Sequence, residues 1–188
     1  MVYPRRRQKN QPARPIGKLP KVSLKRGKKE DNINIYFARP ITGCSADEVI
    51  NYYSIVSSHY GAMGAKIFQP MLGKGALKNE KKFKSVGYET SPCATNHAIL
   101  QRDLWMVEQA DVVLLDLSGA KTVSIGCCME LAIAHWLRKY TLVVMPEDDN
   151  PHNHAFVLEA ADAIFKNREE AFTYLDKLIE SQSGKVVL

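Results

Sequence analysis

The segment Asp111-Val112-Val113-Leu114-Leu115-Asp116-Leu117 constrains the fold more than any other part of the chain. An unbroken apolar centre without the polar-apolar alternation of a half-exposed strand is what a strand buried on both faces of a parallel sheet requires. Thr141-Leu142-Val143-Val144-Met145 repeats the pattern and is closed by Pro146 and an acidic turn at 147–149. Helical signals surround these two segments. Ser45 followed by Glu48 makes a capping box for a helix running to about Met63, and a second helix is expected over 95–108. Ser124 caps a third through Arg138. Ile33–Ala38 and Lys66–Phe68 read as earlier strands. A short helix near 154–161, a strand at 163–165 and an amphipathic helix at 168–182 close the pattern. The expected architecture is a five-stranded, doubly wound α/β domain with a parallel sheet, Rossmann-like and flavodoxin-like in strand order. Residues 72–94 show no period, and a loop of that length in a compact domain is expected to be a lid or a substrate loop.

Charge divides the chain in two. Residues 1–31 carry eleven Lys/Arg against two acidic residues, +9, while residues 32–188 carry −3. With four prolines and few large aliphatics, the first segment cannot bury enough apolar surface to offset its chain entropy, so a disordered or extended basic arm is expected ahead of a catalytic domain at 32–188. Arg5-Arg6-Arg7 and Lys25–Lys29 are a possible nucleic-acid contact through counterion release; a solubilising tail, or an arm packed on a sister subunit, fits equally. No apolar run approaches a membrane span, so a cytoplasmic protein is expected. Cys44, Cys93, Cys127 and Cys128 have no metal-ligand spacing and are read as reduced thiols.

In such a fold the ligand sits at the carboxyl ends of the strands. The first strand leads into Tyr36-Phe37-Ala38-Arg39-Pro40-Ile41-Thr42-Gly43, which brings a phenol, a guanidinium, a hydroxyl and a glycine to that edge. Neither a dinucleotide fingerprint nor a P-loop occurs. Ser124 and the amides around Gly126 sit at a helix N-terminus, where a phosphate or hydroxyl is favoured. Glu130 lies about one and a half turns further on among apolar neighbours, a costly place for a carboxylate unless it is paired or used. Asp103, on the helix feeding the third strand, is placed to face the same crevice. Two carboxylates beside Tyr36 suit glycosidic chemistry, one attacking the anomeric carbon and the other managing the proton of the departing group.

These four stretches, Tyr36–Gly43, Arg102-Asp103 with Ala110-Asp111, Ser124-x-Gly126-x-x-x-Glu130-Leu131 and Leu142–Pro146, resemble in order the nucleoside 2-deoxyribosyltransferase superfamily, which includes the 2′-deoxynucleoside 5′-monophosphate N-glycosidases. The resemblance covers roughly residues 33–165. It implies that Glu130 is a nucleophile forming a covalent deoxyribosyl-enzyme, that Asp103 handles the base or its proton, and that Tyr36 orients Glu130. It implies no metal and no organic cofactor, and a homo-oligomer, at least a dimer, whose sites are shared across the interface near Asn153.

Substrate choice divides within the resemblance. Six residues before the nucleophile, Ser rather than Asp accompanies nucleotide hydrolases, and this chain has Ser124, with Arg39 available as countercharge. Pro151-His152-Asn153-His154 instead resembles the transferase segment that offers an Asn to a neighbouring subunit's substrate, and a hydrolase-type Ser would fall near Pro40, with only Thr42 close by. Nucleotide hydrolysis is the leading expectation and base exchange between deoxynucleosides the alternative. A non-catalytic nucleotide-binding or nucleic-acid-associated protein is the third reading. Gln69, ending the second strand, is read either as a base contact or as a strand terminator; the lysines at 74, 78, 81, 82 and 84 most simply as a solvated loop, with a lid near an anionic ligand as the alternative; Trp105 and Trp136 as core or interface; His97 and His135 as a helix-cap and a surface histidine.

Overall fold

The computed structural model describes residues 32–88, 91–146 and 149–182; the basic arm expected at 1–31 and part of the acidic turn at 147–149 lie outside them. The described chain forms β1 (Asn34–Ala38), α1 (Ala46–Ala62), β2 (Lys66–Phe68), a short 3-10 turn (Gly75–Leu77), α2 (Asn96–Gln109) and β3 (Val112–Asp116). It continues through α3 (Ile125–Trp136), β4 (Tyr140–Val144), α4 (Ala155–Ala160), β5 (Ala163–Phe165) and α5 (Arg168–Gln182). All five strands are parallel and lie in the order β2-β1-β3-β4-β5, the expected doubly wound arrangement. The third helix ends at Trp136, short of the expected Arg138, which takes a positive φ of 56° in the tight turn into β4.

Local chemistry accounts for the boundaries. Ser45 and Glu48 form the reciprocal capping box, the Glu48 backbone N–H donating to Ser45 Oγ and the Ser45 backbone N–H donating to the Glu48 carboxylate. Thr95 and Ser124 cap α2 and α3 through their side-chain oxygens. Every residue of β3 is buried, as its apolar run requires.

Strand alternation sorts side chains onto two faces. Ile35, Phe37, Leu114 and Leu142 pack against α1 and α5, with Val49, Val56, Leu175 and Ile179 opposite. Tyr36, Ala38, Val113, Leu115 and Val143 face α2 and α3, meeting Met106, Val107, Leu131 and Ala134. Each fully buried aliphatic contributes roughly 1.5–3 kcal/mol, counted against a fully exposed chain. The phase of β1 therefore decides that Tyr36 points at α3. The irregular stretch after β2 is no free lid: Leu77, Phe83, Tyr88 and Ala94 are buried in the α1-side core, and Phe83 joins the loop before α1 through the hydrogen bonds Gly43 N–H to Phe83 O (2.8 Å) and Phe83 N–H to Cys44 O (2.8 Å). No described helix is long and apolar enough to cross a membrane.

Candidate active site

At the carboxyl end of the sheet, β1, α2, α3 and the stretch after β2 surround a pocket. Its lining includes Arg39, Thr42, Lys74, Asp103, Ser124, Gly126 and Glu130. Glu130 is buried on α3, and the hydroxyl of Tyr36 donates to its Oε1 at 2.6 Å. A phenol donating to a carboxylate stabilises the charged form by about 1.5–3 kcal/mol. That contact does not overcome burial: desolvation, reinforced by the nearby Asp103 charge, pushes the Glu130 carboxyl up to about 8, while Tyr36 and Lys74 pull the other way. Tyr36 itself is pushed well above the usual phenol range, first by desolvation and then by the two carboxylates, so it remains a donor.

Asp103, buried on α2, takes two hydrogen bonds from Arg102, Nε at 3.1 Å and Nη2 at 2.9 Å, both to Oδ1. Arg102 is anchored in turn, donating through Nη1 to Cys93 O (2.9 Å) and through Nη2 to Pro70 O (3.4 Å). Desolvation raises the Asp103 carboxyl, and the Lys74 and Arg102 charges oppose that rise.

Ser124 stands at the α3 N-terminus, its Oγ accepting from Cys127 N–H at 3.4 Å. As an acceptor there, the hydroxyl keeps its own proton for a ligand. Its backbone N–H donates to His152 Nε2 at 2.8 Å, and the His152 Nδ1 side meets Asn150 Oδ1 at 3.1 Å. An accepting Nε2 assigns the proton to Nδ1, and burial lowers the imidazole's pKa, which favours this neutral form. Asn150 also donates to Leu117 O at 2.8 Å, so one buried histidine ties the loop after β4 to the start of α3 and the exit of β3. Arg39 lines the pocket with its guanidinium 4.7 Å from the centre of the Tyr52 ring, a cation-π contact that fixes its position.

Tyr36, Asp103 and Glu130 thus meet as expected, and Arg39, Thr42, Ser124 and Gly126 join them at the pocket wall. Three other candidates lie elsewhere. Gln69 Oε1 accepts from Met71 N–H at 2.6 Å and so closes the turn after β2. Gly43 has a φ of +89°, a left-handed conformation that favours glycine, and its amide is used in the loop contact to Phe83. Asn153 is exposed and outside the pocket of this single chain. The lysine expectation is corrected at one position: Lys74 is only 4% exposed and lines the pocket, because the 3-10 turn it precedes folds inward on Leu77. Phe83, Lys84 and Tyr88 also line it, and no periodicity in the sequence marked them. Trp136 is 84% exposed and Trp105 about half-exposed, so neither is core; His97 and His135 are exposed. All four cysteines are free thiols. Among the described residues no group of three or more His, Cys, Asp or Glu side chains is placed to hold a metal.

No family model matches this chain, and no curated protein matches it. Among solved structures it is similar to a conserved protein from Enterococcus faecalis V583, at 16% identity and a TM-score of 0.49, covering 82% of this chain and 99% of that one. It is also similar to the CMP N-glycosidase BcmB of Clostridium botulinum, at 13% identity and a TM-score of 0.47, covering 77% and 98% respectively.

Proposed function

We propose that this protein cleaves the N-glycosidic bond of 2′-deoxynucleoside 5′-monophosphates, or of deoxynucleosides, releasing the free base through a deoxyribosyl-Glu130 intermediate. The observation that carries the reading is the 2.6 Å contact from Tyr36 to a buried Glu130, with Asp103 lining the same pocket. A carboxylate held by one oxygen keeps the other for attack on C1′, and its desolvation makes it a stronger base and nucleophile than an exposed carboxylate once ionised. The bond from C1′ to the base nitrogen breaks as the Glu130 ester forms. Water then attacks C1′ and restores the carboxylate, so the reaction retains configuration overall.

The nucleotide preference rests on Ser124 and Arg39. Ser124 offers a hydroxyl at the positive end of α3, and Arg39 lines the same pocket with a fixed positive charge. Base exchange between deoxynucleosides is the second reading, favoured by Asn153: it follows the His152 that grips Ser124, and its exposure leaves it available to the site of a second copy. A second copy is supported by the outer face of α3, where Ile125 (74% exposed), Met129 and Trp136 recur along one side beside the exposed Phe156. The expected homo-oligomer would cover this apolar stripe, and light scattering after size exclusion tests it.

The functional test is chromatographic. The protein is incubated with each deoxynucleoside and each deoxynucleoside 5′-monophosphate, with and without a second free base, beside Glu130→Ala. Free base with deoxyribose 5-phosphate supports hydrolysis, whereas exchanged nucleosides formed only with acceptor base support transfer. The variant is expected to lose at least about 10³-fold in turnover, as removal of a covalent nucleophile does. Turnover retained by Glu130→Ala would remove the assignment, and tight nucleotide binding without any base release would favour the non-catalytic reading.

A further inference from the structure

The pocket holds a buried cation whose place the glycosidic reading leaves unused. Lys74 follows the turn after β2, with its backbone N–H donating to Met71 O at 3.0 Å, and its long side chain is almost wholly enclosed. An ammonium is strongly hydrated, and enclosing one is costly unless other groups replace its water. Among the described residues none accepts a hydrogen bond from its ammonium or lies within ion-pair distance, yet it interacts electrostatically with Asp103 and, less strongly, with Glu130. Lys74 lines the pocket, and its donor capacity is not spent on any described residue.

The two cations beside Asp103 differ in kind. Arg102 is pinned by two backbone carbonyls and by Asp103 itself, and a guanidinium does not release a proton. Among the described residues Lys74 meets Asp103 and Glu130 through charge only, and an ammonium can release a proton. Desolvation raises the Asp103 carboxyl and both positive neighbours oppose that rise, but its Oδ1 is already committed to two hydrogen bonds from Arg102, whereas the Lys74 ammonium has no such commitment among the described residues.

Resting on the glycosidase reading, we infer that Lys74 is the catalytic acid that protonates the departing base, and that the charge of Asp103 favours its ammonium form. As the C1′–N bond breaks, its electron pair goes to the base, the Glu130 carboxylate bonds to C1′, and one ammonium proton passes to the base. In the second half-reaction water adds to C1′, the ester oxygen leaves as the Glu130 carboxylate, and the water's proton returns to the Lys74 amine. Protons and charge balance over the cycle with no further reactant. The groups facing Lys74 are Asp103 and Arg102 on α2 and Glu130 on α3; Arg39 and Lys84 line the same pocket. Burial lowers the lysine, which moves its proton release toward the range where a general acid works, and Asp103 restrains that drop.

The test compares a natural substrate with 4-nitrophenyl 2-deoxyriboside 5-phosphate, whose leaving group departs without a proton. Lys74→Met should slow base release from the natural substrate by about 10²–10⁴-fold and lose the alkaline limb of its pH profile, while the nitrophenyl substrate, compared above the acid limb set by Glu130, stays within a few-fold of the wild type. Lys74→Arg keeps the charge but cannot deliver a proton, and should be as slow as Lys74→Met on the natural substrate alone. Asp103→Asn should move the alkaline limb to lower pH without abolishing it, since loss of that negative charge makes the ammonium more acidic. Equal slowing of both substrates with rescue by Lys74→Arg would instead make the lysine a charge that only tunes Glu130, and overturn the inference. Loss of the alkaline limb in Asp103→Asn would return the proton to Asp103 and overturn it as well. Turnover of the nitrophenyl substrate shows that each variant is folded. A wild type that releases no base from any substrate defeats the glycosidase reading itself, whereas a turning-over wild type matched by Lys74→Met defeats only the role of the lysine.

Discussion

The pocket has two walls built by different means. One is framework: Tyr36 on β1, Asp103 on α2, and Ser124 and Glu130 on α3, all set by strand phase and helical turn. The other is the irregular chain from Pro70 to Tyr88, with a single 3-10 turn, which supplies Lys74, Leu77, Phe83 and Lys84. The framework wall contributes the negative charge and the irregular wall contributes cations and apolar surface. A carboxylate meant to attack one carbon must be held within a fraction of an ångström, which regular elements do well, while a wall that encloses a ligand needs only to be packed.

The sharpest way to separate the walls is Phe83→Ala. Phe83 is buried in the α1-side core and lines the pocket, so its loss should cost about 3–5 kcal/mol of stability. Thermal unfolding should move down by roughly 10 °C. If the walls are independent, KM rises in this variant and kcat stays within a few-fold; a collapsed kcat with unchanged KM would show that the irregular wall also positions the nucleophile.

On the framework side, Tyr36→Phe removes the hydroxyl that favours ionised Glu130. We expect turnover to fall about 10–100-fold, the kinetic equivalent of one charge-assisted hydrogen bond. The acid limb of kcat/KM, set by Glu130 near about 8, should move to higher pH, because the contact being removed lowers that carboxyl. An unmoved limb would mean that Tyr36 only fills space.

The smallest effect concerns stability. The Glu130 carboxyl is raised in the folded protein to about 8, above its unfolded value of roughly 4.3, so the folded state binds this proton more tightly. The resulting stabilisation is fully present below the unfolded value and is lost as pH rises toward and through the folded one. Glu130→Gln removes this titration and should be more stable than the wild type by about 0.5–2 kcal/mol at pH 8, with the gap closing toward pH 5. Equal pH dependence of unfolding in the two proteins would place the Glu130 carboxyl in an environment unlike the buried one described.

The same division explains what could be read from the sequence. The buried runs of β3 and β4, the capping box at Ser45 and Glu48, and the caps at Thr95 and Ser124 are short-range signals, so element order, parallel topology and the meeting of Tyr36, Asp103 and Glu130 were legible. Lys74 was not, because its burial follows from the packing of Leu77 and Phe83 across tens of residues, which leaves no period behind. His152 is illegible for another reason: its segment resembles one that offers Asn153, while the grip on Ser124 depends on which ring nitrogen meets an amide far along the chain. Gln69 shows the converse, a residue at the expected edge whose oxygen is claimed by its own turn.

The position of β2 has one more consequence. It is a three-residue strand at the outer edge of the sheet, and the irregular wall is strung between it and α2, whereas Tyr36 and Glu130 are fixed by β1, β3 and α3 further in. The pairing of Tyr36 with Val113 and the start of α3 both lie outside that wall. The fold is therefore modular in inheritance: its ligand preference can drift through wall positions that are not packed in the core, such as Lys84, while the reacting pair remains in register.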